Sequence, residues 1–244
     1  MRGAWTIAFR EFRSFFRVPV GWLTVALYLF LTGVVFANVL VPGGTATMRD
    51  VLGWSQFFLM ALAPAVSMRL LSEEFRSGTY EALMTSPVGD VSVTAGKFLG
   101  GVLFLKAMFA PTLLYPLILL AVSDPRPDLG PMVCGYLGLV LLGAFYLAFG
   151  MLLSSLTSNQ TLAFVSTFLL LVLYRVATSE RVIGGGLVPI PPGLARALAA
   201  VAPGPRLDDF AKGLLDLAHI VFFLSATAWF LMLTFVALEM RRWR

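Results

Sequence analysis

The chain of 244 residues is 59% hydrophobic and only 13% charged, with a mean hydropathy of +0.87. A soluble domain carries about 25% charged residues to coat its surface, so these proportions exclude a water-soluble fold and indicate an integral membrane protein. A net charge of +5 would suit nucleic acid, but the basic residues gather at the ends of apolar runs, where membrane topology accounts for them; the one cysteine, Cys134, excludes an intrachain disulfide framework and a cysteine metal cluster and reads as a small packing residue.

Residues 1–17 are amphipathic. Trp5, Phe9, Phe12 and Phe16 recur at helical spacing, with Arg10, Arg13 and Arg17 on another face. This pattern suits an interfacial helix with its cations toward anionic headgroups; an elbow leading into the first span reads equally well. A membrane crossing needs about 20 predominantly apolar residues. Six stretches provide them: about 20–41, 51–71, 98–122, 132–153, 161–178 and 217–238. The first is long and lacks a small-x-small exit, which argues against a cleaved signal peptide. The sequence therefore predicts an all-α integral membrane protein, one domain over 1–244 with six transmembrane helices.

Arginine and lysine set the orientation. With the N-terminus inside, Arg2, Arg10, Arg13, Arg17, Arg69, Arg76, Lys97, Arg241, Arg242 and Arg244 share the inner side, and each short outer loop holds one basic residue. Both termini are expected in the cytosol, with the chain in the bacterial inner membrane. The last outer connection, 178–215, is rich in glycine and proline. Helices are expected at 194–201 and from Pro205 onward, the latter with Asp208 and Asp209 near its positive end, as partly re-entrant caps over the outer mouth.

Signals of catalysis are sparse. His219 opens the last span and reads as an interfacial or hydrogen-bonded packing residue; no metal-ligand spacing or Ser-His-Asp set accompanies it. Gly89 to Lys97 superficially resembles a phosphate loop, but six residues separate Gly89 from Gly96 and Phe98 stands where magnesium needs Ser or Thr. No catalytic, cofactor-binding or metal residue is assigned, and the chain is not expected to be an enzyme. Lys106 lies inside the third span, ~12 Å from its start at helical rise. A charge at that depth is a functional candidate, facing either a translocation path or an intersubunit contact. Arg175, near the outer end of the fifth span, reads as an interface anchor.

The most charged island is Glu73-Glu74-Phe75-Arg76-Ser77-Gly78-Thr79-Tyr80-Glu81-Ala82-Leu83-Met84-Thr85-Ser86-Pro87, within a cytosolic loop over 73–97. Ser77 or Gly78 can cap a short helix, with Glu81 in its first turn. Tyr80, Leu83 and Met84 form one apolar knob, and Pro87 ends the segment. So short a helix does not persist alone in water. It either enters a groove on a partner or lies on its own membrane domain.

The pattern Glu73-Glu74-x-Arg76, Gly78-Thr79-x-Glu81, Pro87 and Gly96-Lys97 resembles the loop between spans two and three of type-2 ABC transporter permeases. Supporting stretches are Glu11-Phe12 to Trp22, Ser154-Ser155-Leu156-Thr157-Ser158-Asn159-Gln160, and Phe210-Ala211-Lys212-Gly213-Leu214-Leu215-Asp216. The set is most similar to the branch holding the gliding-motility-associated permease and the permease for nitrous-oxide reductase maturation; Val18-Pro19 departs from an expected Ser-Pro. The resemblance implies a coupling helix at 79–85 docking on a separate cytosolic ABC ATPase dimer, which would hold ATP and magnesium. Glu73, Glu74 and Arg76 would steer the docking. It also implies a second permease copy, as a homodimer, and an accessory protein on the outer side. The expected function is ATP-driven export or translocation, the alternative a force-transmitting anchor that moves no solute. An ion-coupled secondary transporter is disfavoured, because no acidic residue lies in the middle of a span.

Overall fold

The computed structural model describes residues 2–40, 47–78, 90–124, 127–184, 186 and 190–242. Helices, and no strands, occur among them. The first is α1 (Arg2–Arg17), which a break at Val18 separates from α2 (Pro19–Val39). Proline at the head of α2 sets its start, because its missing N–H would have no partner there anyway. α3 (Arg49–Leu70) runs almost directly into the short α4 (Ser72–Ser77), where Gly78 adopts a φ of 70° and terminates it. Ser77 and Gly78 therefore close a helix here; the one that the sequence suggested they open lies outside the described residues.

The third span begins at α5 (Asp90–Phe109), passes through a 3-10 turn at Ala110–Leu113, and continues as α6 (Leu114–Val122). The sequence predicted one uninterrupted helix. Pro111 has no N–H to continue the ladder, so the helix tightens there. Pro116 likewise offers no N–H to the Thr112 carbonyl four residues before it, and within the bilayer a freed carbonyl needs a protein partner. Thr112 Oγ1 donates to the Phe109 carbonyl at 2.7 Å, and Tyr136 hydroxyl donates to the Thr112 carbonyl at 2.7 Å.

Tyr136 belongs to α7 (Leu129–Leu156), which Asp128 caps by accepting from the Gly130 N–H at 2.9 Å. α8 (Gln160–Ala177) is capped likewise by Asn159, which accepts from the N–H groups of Thr161 and Leu162. Three short helices follow, α9 (Glu180–Ile183), α10 (Pro192–Val201) and α11 (Pro203–Ala211), before the last span, α12 (Leu217–Arg242). Asp208 and Asp209 fall in the final turn of α11, not near its positive end, because the helix starts two residues earlier than expected.

Among the described residues six helices are long and apolar enough to cross a membrane: Pro19–Val39, Arg49–Ser77, Val91–Val122, Leu129–Leu156, Gln160–Ala177 and Leu217–Arg241. The protein is a multi-pass membrane protein. The second and fourth spans form its centre, with 61% of their apolar stretch buried against 17% for the fifth. α7 packs on α3, α5, α8, α11 and α12, and Phe145 in its middle meets the rings of Tyr174, Phe223 and Phe230. α1, α4 and the end of α12 lie at one face of the bundle, hereafter the terminal face; α11 lies at the far face, against α7 and the start of α3.

α1 is an amphipathic helix packed on the bundle. Ile7, Ala8 and Phe15 are buried, whereas Trp5 and Phe9 are about half exposed. The buried side packs along α5, closely enough that a Cβ on Gly100 would come within 2.6 Å of Glu11 Cβ and 2.9 Å of the Ala8 carbonyl. Only glycine permits that approach.

Candidate functional site

The island of the sequence begins on α4, and from Ser72 to Phe75 each successive residue is bound to a different part of the molecule. The Ser72 N–H donates to Ser154 Oγ on α7 at 3.0 Å, and that hydroxyl donates to the Met68 carbonyl at 3.2 Å. Glu73 accepts two hydrogen bonds from Arg69, at 2.9 and 3.3 Å. Glu74 accepts from Lys97 on α5 at 2.7 Å. The Phe75 ring lies under the guanidinium of Arg241, 4.2 Å from its centre, while Arg241 also donates to the Leu156 carbonyl at 2.9 Å. α4 is thus the point where α3, α5, α7 and α12 are tied together. Arg76 is exposed and makes no ion pair among the described residues.

Lys97 is the deepest charge at this site, with a side chain only 1% exposed. Its ammonium reaches a second carboxylate, Glu11 of α1, at 3.0 Å. A buried ammonium needs such pairing, because its desolvation is expensive without it. Glu74 Oε2 is buried and has no hydrogen-bond partner among the described residues, so this carboxylate depends on Lys97. Glu11 has another cation beside it: Arg10, largely exposed, is 3.5 Å away.

These positions alter the expected roles. Glu73 and Glu74, expected to steer docking together with Arg76, each hold a cation of this chain, Glu73 with its side chain still 46% exposed, and Arg76 is exposed. Lys97, in the sequence an inner flanking charge and the end of the family pattern, is a buried ion-pair centre. Thr79, Tyr80, Glu81, Leu83, Met84 and Pro87 lie outside the described residues. Sequence reasoning missed Glu11 and Arg241 as part of the site. One signal was present: Glu11 is the only acidic residue before Asp50.

Lys106 is separate from this cluster. It sits on α5, exposed on the outside of the bundle and without an ion pair among the described residues. An apolar cleft of about 360 Å³ opens between α5 and α12, lined by Val91, Thr94, Ala95, Ala228, Leu231, Met232 and Phe235.

At the far face the basic and acidic groups interlock. Arg175 turns inward: its guanidinium lies over the Phe57 ring, 5.4 Å from the centre, and against Gly204 of α11. It joins α8 to α3 and α11, a packing role in place of the expected interface anchor. Arg206 covers the Phe222 ring at 3.9 Å and donates to the Ala200 carbonyl, closing the end of α10. His219 hydrogen-bonds Asp209 at 3.1 Å and meets the Phe210 ring edge-on. Loss of water around Asp208 holds its carboxyl above the usual range, despite the opposing charges of Lys212 and Arg175. Cys134 is buried, with Sγ 3.8 Å from the Gly213 carbonyl. No cluster with metal-binding composition occurs among the described residues.

A family model described as ABC-2 family transporter protein matches residues 43–203. The match spans α3 to α10, most of the chain, and includes α4 and Lys97 but not Glu11 or Arg241. No curated protein matches the sequence. With six apolar helices and a family match running through four of them, this chain belongs to the ABC-2 family of transporter proteins, as a membrane-spanning permease subunit.

Proposed function

We propose that the chain converts ATP hydrolysis by a separate cytosolic ATPase dimer into export or translocation of a solute across the bacterial inner membrane. ATP and magnesium belong to that partner. Residues 79–85 form the coupling helix, the terminal face is cytosolic, and two copies of the permease build the transporter. An accessory protein on the opposite side fits the branch that also holds the gliding-motility and nitrous-oxide reductase maturation permeases.

The observation that carries this reading is the wiring of α4. A docking segment transmits force only if its anchor is joined to the spans that must move, and α4 meets four of the long helices through Ser72, Glu73, Glu74 and Phe75. Arg76, Gly78, Thr79, Tyr80, Glu81, Leu83, Met84 and Pro87 are the residues offered to the ATPase. The double substitution Gly78→Pro with Glu81→Arg tests the assignment by copurification of the ATPase from membranes. Loss of the ATPase, with the permease still monodisperse and thermally stable, is the expected result. Undiminished copurification sinks the coupling assignment.

A further inference from the structure

We propose that the N-terminal helix α1 is a releasable strap on the coupling machinery, held by Lys97, and that Lys97 is a positioning residue that stays on Glu74 throughout the cycle while exchanging Glu11. The proposal rests on the coupling role of residues 79–85.

Lys97 and Glu74 stand on opposite sides of the loop that contains those residues. Their contact of 2.7 Å closes the loop at its neck, so a displacement of the loop reaches the pair before it reaches the spans. The same ammonium holds Glu11 at 3.0 Å, which makes α1 the third element at the neck.

The two carboxylates are not equivalent. Glu74 has one oxygen on Lys97 and the other buried without a partner among the described residues. Separation from Lys97 would strand its charge away from water. Glu11 has Arg10 at 3.5 Å, on a side chain 58% exposed. It can leave Lys97 and remain paired at the surface. When the neck is strained, the Lys97–Glu11 bond therefore yields first, and α1 swings from α5 while α4 and α5 stay joined. The break at Val18 gives α1 a pivot, and its exposed Trp5 and Phe9 give it a surface that already tolerates the membrane interface.

Spin labels test this on the permease–ATPase complex reconstituted in nanodiscs, in a Cys134→Ala background. One pair, Phe9→Cys with Val91→Cys, reports α1 against α5; a second, Ser77→Cys with Val91→Cys, reports α4 against α5. Distances are measured by pulsed electron resonance without nucleotide and after trapping with ATP and vanadate. The expected result is a change of about one helical turn, ~5 Å, in the first pair and none in the second. In addition, Glu11→Gln should move the first pair to its trapped distance without nucleotide, and Lys97→Arg should restore the wild-type pattern where Lys97→Met does not. A change in the second pair, or a first pair that stays fixed under both trapping and Glu11→Gln, overturns the strap. Copurification of the ATPase is scored separately. Its absence removes the coupling reading, and the Glu11→Gln distance in the permease alone then decides the strap.

Discussion

Lys97 shows how strongly a membrane protein depends on where a single charge ends up. Removing one member of a buried ion pair is destabilising by about 3–5 kcal/mol, because the partner is left charged and dry. Two carboxylates rely on this ammonium, although Glu11 can turn to Arg10. Lys97→Met is therefore expected to lower stability by an amount at the low end of that range, read as a fall in the thermal midpoint in detergent. Adding Glu74→Gln to the same chain should recover most of the loss; no recovery would mean that the pair is not the source. The role of Lys97 was hidden in the sequence, since its partners are far away along the chain and meet only after α1 folds back on α5. Arg175 was misjudged for the same reason: its position near a span end was legible, but its direction, inward over Phe57, depends on the placement of α3 and α11.

Helices were far more legible than contacts. Lipid leaves the backbone no partner but itself, so an apolar stretch of sufficient length has one solution, and the predicted spans differ from the observed helices mainly at their ends. The departures come from local chemistry that hydropathy averages away. Pro111 splits the third span, and the loop 178–215 folds into three helices where two were expected. α1 was recognised as amphipathic, yet Ala8 and Phe15 are buried more deeply than Phe12 and Phe16, because Ala8 sits against Gly100 of α5 and Phe15 stacks on Phe104. Gly100→Ala tests that close approach. The added methyl group would meet Glu11 Cβ and the Ala8 backbone, and overpacking of this kind typically costs about 1–3 kcal/mol. Thermal unfolding should report the loss, and cysteine accessibility at Ile7→Cys should rise as α1 lifts. An unchanged accessibility would show that α5 yields instead.

For the molecule as a whole, burial is uneven. The second and fourth spans supply an enclosed centre, while the first, fifth and sixth have only 28%, 17% and 22% of their apolar stretch buried. A pair of permeases has ample surface on which to meet. Lys106 is exposed on the third span and needs a neighbour or water at that depth; we place it on the path or at the contact between copies. Lys106→Leu distinguishes the two by oligomeric state in nanodiscs. Loss of the dimer assigns it to the contact, whereas a retained dimer on which the bound ATPase hydrolyses ATP at an altered rate assigns it to the path. A retained dimer with unaltered hydrolysis excludes both.

The 3-10 turn at Ala110–Leu113 bears on a different demand, that a membrane stay sealed while its proteins move. It divides the third span into α5, which carries Lys97, and α6, which ends at the far face. Tyr136 and Thr112 already satisfy carbonyls at the division, so bending there exposes little new polarity to lipid. One half can tilt while the other stands still. Under the proposed coupling role, a span jointed in this way would let the two sides of the bilayer open in turn, and so keep an energised membrane from leaking its ion gradient with each stroke.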